Sequence, residues 1–296
     1  MATVRTVKRG SRAYRYLVQS YRWDGAVRKK QLYLGTSIPK ELASSRIALE
    51  RAIWKETWFA EFDAIKVAYQ RWLARLPPSV REKDSEAFVL HFTYDTNRIE
   101  GSALSLEDTR RLLERGLTPA SRPISDILEA KKHAELMRRL VRSPERVDLA
   151  RLLSWHKELF TETKPDIAGR LRDFEVMIRG SQHIPPSALE VRPMLLELIR
   201  RTTRAAPTVH PVQLAAEFHF RFEYIHPFGD GNGRVGRIAL NALLGQSGFP
   251  MINIPYVRRR GYYRSLELSS IGDDARPFLH WFFLRYSREM QAYVKR

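Results

Sequence analysis

Residues 226–237 read H-P-F-G-D-G-N-G-R-V-G-R, and these types at this spacing could grip phosphate and activate a hydroxyl beside it. A histidine can take a proton near neutral pH, which is the first need of a hydroxyl attack on phosphorus. Asp230 is a hard oxygen ligand suited to magnesium. Gly231 and Gly233 let backbone N–H groups approach phosphate oxygens closely. Arg234 and Arg237 offer fixed forks of donors, which fit phosphate better than lysine does.

The elements that must carry these residues follow from periodicity. Residues 211–224, P-V-Q-L-A-A-E-F-H-F-R-F-E-Y, have no Gly, no Pro after the first position, and apolar residues at helical spacing. Pro227 and the Gly229–Gly233 stretch break that helix, and a second one is predicted from about Asn232 through I-A-L-N-A-L-L-G. Arg234 and Arg237, three residues apart, fall on one face of its first turn. Cations at a helix N-terminus oppose the macrodipole, a cost that a bound anion would offset.

In this order the twelve residues resemble the signature of the Fic (filamentation-induced-by-cAMP) family, H-x-F-x-[D/E]-G-N-G-R-x-x-R, at every specified position. The resemblance covers about residues 85–290 and implies transfer of AMP from ATP to a Ser, Thr or Tyr hydroxyl of a protein. It implies His226 as base, Asp230 as the holder of Mg2+, and Gly231, Asn232 and Gly233 as the cradle of the α- and β-phosphates. Arg234 and Arg237 would neutralise the β- and γ-phosphates, and Phe228 would point inward to anchor the loop. A residue bulkier than Gly233 would crowd the phosphates, as in the branch of the family that phosphorylates.

A second match lies upstream, where T-N-R-I-E-G fills the family's inhibitory [S/T]-x-x-x-E-[G/N] with Thr96, Glu100 and Gly101. The run before it is predicted helical over about 85–100, with Asp84 or Ser85 as cap and Gly101 as stop. The resemblance implies that Glu100 pairs with Arg237 where the γ-phosphate of ATP would sit. In some relatives the same glutamate positions a water that removes AMP, so a de-AMPylase of the same fold remains an alternative.

Residues 169–186 alternate between apolar and polar before Gly180, which predicts a short β-hairpin. By resemblance this is the flap that pairs with a target segment, with Met177 and Ile178 as the apolar clamp. Tyr262 and Tyr263 are candidates for the adenine wall, with core packing as the equal alternative for either. His156 and His219 read as packed or hydrogen-bonded structural residues.

The chain has 296 residues, 44% hydrophobic and 28% charged, enough for one large domain with an appendage. With no cysteine there is neither a disulfide framework nor thiol chemistry. No apolar run reaches membrane-spanning length and no signal-peptide core opens the chain, so a cytoplasmic location with no membrane partner is expected. Net charge is +18 with a pI near 10.3, which fits ATP, an acidic partner or nucleic acid. The expected architecture is mainly α: a Fic-type helical bundle over 81–296 with a β-hairpin flap, preceded over 1–80 by a basic β-hairpin and a long helix. Residues 13–36 supply that hairpin, of two or three strands, with a turn at Asp24–Gly25; residues 43–75 supply the helix, ended by Pro77–Pro78. Ser105, Ser125 and Asp148 are the expected caps of three bundle helices.

The leading reading is thus a self-inhibited adenylyltransferase using ATP and Mg2+ on a protein hydroxyl, its own included. The alternative from another class is a basic nucleic-acid-binding regulator whose Fic core senses nucleotide. The basic, tyrosine-rich residues 13–36 could serve nucleic acid, a second protein, or a dimer mate.

Overall fold

The computed structural model describes residues 2–23 and 25–295, which form two compact units, Met1–Ala64 and Ile65–Arg296. The first unit is an antiparallel sheet of three strands in sequence order, β1 (Thr3–Arg9), β2 (Arg12–Trp23) and β3 (Ala26–Gly35), followed by α1 (Leu42–Trp54). Period-two alternation puts Leu17, its partners Val4 and Leu32, and Tyr21 on the face that packs against Leu49 and Ile53 of α1. Asp24 of the expected turn lies outside the described residues; Gly25 takes φ 74°, as a tight β2–β3 connection requires. The single helix expected over 43–75 is instead two helices joined by a π-helical turn at Lys55–Phe59, with α2 spanning Ala60–Arg75. Within that turn Thr57 Oγ1 bonds back to the Ile53 carbonyl at 2.9 Å.

The second unit is a helical bundle. Its helices are α3 (Pro78–Ile99), α4 (Leu106–Arg115), α5 (Ile124–Arg142), α6 (Leu149–Phe160), α7 (Ala188–Ala205), α8 (Pro211–Ile225), α9 (Asn232–Gln246), α10 (Arg259–Ile271) and α11 (Arg276–Val294). Helix α3 begins earlier than the expected 85: Pro78 occupies the first turn, where its missing N–H costs nothing, so Asp84 and Ser85 are interior rather than capping residues. Ser105 makes a full capping box with Asp108, and the Asp148 side chain accepts from Arg151 N–H. Ser125 does not cap α5; Pro123 holds that position and Ser125 lies inside the first turn. The core gathers Phe92 of α3, Trp155 and Phe160 of α6, Phe218 and Phe222 of α8, and Val235 and Ile238 of α9 around Phe228. No helix among the described residues is long and apolar enough to cross a membrane.

The predicted flap hairpin does not form as a ladder. Residues 170–187 run without strand pairing, bend at Arg179–Gly180, and keep one local backbone bond, Ser181 N–H to Ile178 O at 3.1 Å. The return limb contains Pro185 and Pro186, which have no N–H to donate to a partner strand.

Candidate active site

Helix α8 ends at His226, whose backbone is left-handed (φ 51°), a conformation uncommon for a residue with a Cβ. Arg172 holds the chain there. Its buried guanidinium donates from Nε to His226 O at 2.8 Å, from Nη1 to Phe174 O at 3.1 Å, and from Nη2 to the carbonyls of Pro186 and Ile225. The Arg172 N–H adds a bond to Pro227 O at 3.0 Å. One side chain thus ties the end of α8 to both limbs of the 170–187 segment. Sequence reading missed this residue, since an arginine in R-L-R-D looks like an exposed strand position.

Burial lowers the His226 pKa to about 4, so the ring is neutral at pH 7 and able to accept a proton. Its Nδ1 lies 3.4 Å from the Glu223 carbonyl. A ring nitrogen facing a carbonyl oxygen carries the proton, which leaves Nε2 with the lone pair.

The loop between His226 and α9 is held by its own side chains. Phe228 is fully buried and stacks on His156 with centroids 3.9 Å apart. His156 Nδ1 accepts from Gly169 N–H at 2.9 Å, so its Nε2–H donates to the Asp230 carbonyl at 3.0 Å. Burial lowers its pKa to about 4, which keeps this tautomer neutral. The structural histidine expected from the sequence therefore pins the loop. Asn232 uses both ends of its amide on Phe228, accepting from its N–H at 2.8 Å and donating to its carbonyl at 2.9 Å. The Asn232 side chain is thereby committed to shaping the loop, and its backbone N–H lies in the first turn of α9. Gly231 has φ 77° and any Cβ there would overlap the Phe160 ring, so the position admits only glycine.

Two charge networks meet at this loop. In the first, Asp230 Oδ2 takes Lys164 Nζ at 2.6 Å; Lys164 also reaches Glu129 Oε1 at 3.1 Å, and Glu129 pairs closely with Arg234. Arg234 Nη2 lies 3.6 Å from Asp230 Oδ1. Burial would raise the Glu129 and Asp230 pKa values, but Arg234 and Lys164 outweigh it and both carboxyls are held below their usual range. Lys164 and Glu129, which sequence reading did not single out, close this network; they lie 66 and 101 residues from Asp230, beyond any local spacing signal.

In the second network Arg237, which is 1% exposed, donates from Nη2 to Glu100 Oε1 at 2.6 Å and from Nε to Thr96 Oγ1 at 2.7 Å. Burial alone would lower its pKa, but Glu100 more than reverses that, so the guanidinium stays charged. Glu100 is the C-cap of α3. Helix α3 is itself fixed by Asp95, which accepts from Tyr256 N–H at 2.7 Å and Asn253 Nδ2 at 2.6 Å. A Cβ on Gly233 would land on Glu100 Oε1, with Arg237 Nη1 2.9 Å away. The glycine thus clears the seat of this ion pair as well as the loop. Nearby, Glu223 Oε1 is enclosed with no hydrogen-bond partner among the described residues, and burial pushes that carboxyl up to about 8.

The adenine-wall reading fails for Tyr262. Its side chain is 1% exposed, its hydroxyl donates to His219 Nε2 at 2.8 Å and accepts from Arg237, and Phe278 and Trp281 pack on its ring. No face remains for a base, because a Y-Y pair on a helix sends neighbouring side chains about 100° apart. Tyr263 is the exposed member, with its hydroxyl on Ile99 O at 3.0 Å. Met177 is 92% exposed and Ile178 half-buried, just before the bend of the 170–187 segment.

Among the described residues no cluster of three or more His, Asp or Glu could cage a metal. A magnesium ion brought in with a nucleotide needs less, one or two carboxylates with phosphates and waters completing its shell. The partly exposed Asp230 carboxylate, already facing a cation in Lys164, suits that donor set.

A helical bundle with a glycine-rich loop heading one helix, a neutral histidine before it and paired arginines after it defines the Fic class of fold. Residues 146–244 match the Fic/DOC family, and the chain is a Fic-domain protein. It is 31% identical over 216 residues to Protein adenylyltransferase Fic of Nematostella vectensis, covering 71% of this chain and 49% of that one. Against Protein adenylyltransferase fic-1 of Caenorhabditis elegans it is 29% identical over 222 residues, covering 73% and 43%. The chain thus spans about half the length of the curated relatives it matches. Among solved structures, a Fic domain containing signaling protein from Bacteroides thetaiotaomicron aligns with TM-score 0.69 at 25% identity over 78% of this chain and 96% of that one. Fic-1 from C. elegans shares the fold, with TM-score 0.68 at 24% identity over 86% and 75%.

Proposed function

We propose that this chain is a self-inhibited protein adenylyltransferase that moves AMP from ATP to a hydroxyl side chain of a protein. The observation that carries the reading is the pair of ends of one loop: a neutral His226 at its start and Arg237, claimed by Glu100 and Thr96, just past its end. In this mechanism His226 Nε2 takes the hydroxyl proton as the oxygen attacks the α-phosphorus. The new P–O bond forms as the α–β phosphoanhydride breaks, and pyrophosphate leaves. The N–H groups at the head of α9 face the phosphates with the positive end of the helix behind them. Asp230 would hold the magnesium ion, which supplies charge neutralisation to the phosphates.

Glu100 is the brake in this reading. While Arg237 is paired with it, the fork that should meet the terminal phosphate is taken, and ATP can bind only in a pose unfit for in-line attack. Activation is then the exchange of one anion for another on a single guanidinium. Incubation of wild type, Glu100→Gly and Glu100→Gly/His226→Ala with α-labelled ATP and magnesium tests the whole scheme. Label on protein only with the single mutant is the expected result. Removal of AMP from a modified protein by wild type, lost in Glu100→Gly, would replace transfer by the de-AMPylase reading.

A further inference from the structure

We propose that the outward face of the β1–β2–β3 sheet is a binding surface for duplex DNA, entering the major groove. The face is the one turned away from α1. Cross-strand register places Arg5, Tyr16 and Tyr33 in one row, Val7 and Tyr14 in the next, and Arg9 beside Arg12 at the hairpin end. Toward the other end of the sheet Lys29 pairs with Ser20, and Arg22 pairs with Val27. Arg5, Arg9, Arg12, Arg22 and Lys29 are all exposed, and none has a carboxylate partner among the described residues. On the opposite face Lys30 pairs with Glu56, Tyr21 donates to the same carboxylate and Arg15 donates to Thr6, while Lys8 and Arg28 are exposed at its rim.

Charge and shape together select the occupant. Residues 1–36 contain nine Lys and Arg against one acid, Asp24, so the sheet carries a net charge of 9 − 1 = +8. A face with five unpaired cations and no anion favours a ligand with regularly repeated negative charge. Two neighbouring strands about 4.8 Å apart make a ribbon of the kind that a major groove about 12 Å wide admits. Strands are established readers of that groove, with arginine forks on guanine edges. Single strands are bound instead by separated aromatic platforms on which successive bases stack. Here Tyr33 leans on Tyr16 at 5.3 Å and on Tyr14 at 6.3 Å, both tilted, so the three rings form one ridge rather than a ladder of platforms. The proposal is independent of the chemistry assigned to the Fic loop.

The test is fluorescence anisotropy of the full chain with a labelled mixed-sequence DNA duplex of about 20 base pairs, titrated at several salt concentrations. Wild type is expected to bind with a log–log salt slope near −4, since each phosphate contact contributes about −0.9. Arg5→Gln/Arg22→Gln/Lys29→Gln should flatten the slope by nearly three and weaken binding at about 0.1 M salt by on the order of 100-fold. Arg200→Gln/Arg201→Gln/Arg204→Gln removes the same charge from exposed positions of α7 and should change little. Equal losses in both triple mutants would reduce the effect to net charge and overturn the proposal. So would binding that survives the sheet mutations, no binding at 50 mM salt, or tighter binding of single-stranded DNA or RNA of the same length. Thermal melts of each variant separate loss of binding from loss of fold.

Discussion

The loop at residues 226–237 and the segment at 170–187 treat their side chains in opposite ways. In the loop Phe228, Asn232, Arg234 and Arg237 are buried and each is fixed by named contacts. In the segment Met177 and Ile184 are 92% and 82% exposed, and the backbone pairs with no strand. Arg172 belongs to both, and the segment is also held by Ser181 Oγ and Gln182 N–H on the Glu267 carboxylate and by His183 Nε2 on the Tyr224 carbonyl. Under the proposed transfer reaction, the difference teaches where each half would be specified. In the proposed reading the loop of the phosphate end is prebuilt by intramolecular bonds, and a nucleotide has to displace only Glu100 from Arg237. The 170–187 segment, proposed as the target end, is chain without strand pairing that leaves Met177 and Ile184 in water, which suits addition of a partner's strand.

Breaking the prebuilt half should have the largest effects. His226→Ala removes the acceptor of the hydroxyl proton and should lower transfer by about 10²–10⁴-fold, the span of general-base catalysis, with ATP affinity unchanged. Radiolabel transfer and calorimetric ATP titration read the two quantities; equal loss of both would assign His226 to binding. Glu100→Gly acts in the other direction. Each 1.4 kcal/mol of the Glu100–Arg237 interaction that no longer opposes productive ATP is about tenfold in the competent fraction, so a gain on the order of 10–100-fold in transfer is expected. An unchanged rate would mean that the pair seen here does not compete with phosphate.

The same half sets the pH response. Burial lowers His156 and His226 to about 4 and His133 and His219 to about 3. An unfolded chain protonates these rings near 6.5, so between pH 6.5 and about 4 the unfolded state binds more protons and stability falls as pH falls. Each histidine contributes at most about 1.4 kcal/mol per pH unit in that window. Glu223 has the opposite sign. Raised to about 8, it keeps its proton in the fold, and its contribution is lost as pH rises from about 4.5 through 8. Denaturant melts should therefore show steep loss below pH 6.5 and a shallow one toward pH 8. Glu223→Gln should remove the alkaline decline and, because the Glu223 slope opposes the histidine slope between pH 4.5 and 6.5, steepen the acid loss there. The acid limb of the transfer rate should fall near pH 4 rather than near 6.5, because His226 is the group that must stay neutral.

What was legible in the sequence was local. The helix–loop–helix around 226–237, the Glu100 motif, and the caps at Ser105 and Asp148 all rest on residues within a few positions of each other. The helix start at Pro78 and the π turn at Lys55–Phe59 were not, because a proline pair reads equally as an end and a beginning, and K-E-T-W-F carries no Gly or Pro to mark a change of helical pitch. The partners of Arg234 and Asp230 come from α5 and the turn after α6, and no spacing rule joins them. Tyr262 and Tyr263 illustrate the limit: the sequence offered two adjacent aromatics, and only helix phase decides that one faces His219 and Phe278 while the other meets solvent.

The smallest effect expected sharpens the other side of the comparison. Met177→Ala deletes an exposed thioether that touches no core cluster, so thermal stability should move by less than about 0.5 kcal/mol, the usual range for surface substitutions. If the segment aligns a target by strand addition, the methionine contributes only to the target's side chain, and the loss should appear in KM for the protein substrate. Burying a flexible apolar side chain of this size against a partner is worth about 1.5–3 kcal/mol at full burial. Partial burial on a ligand gives roughly three- to tenfold. ATP affinity and the label gained by Glu100→Gly on an intramolecular site should stay the same, since neither needs the clamp. A fall in kcat with KM unchanged would instead place Met177 in the support of the phosphate loop. Arg172 would then be one of several ties between the two regions, and their contrast would be smaller than the static contacts indicate.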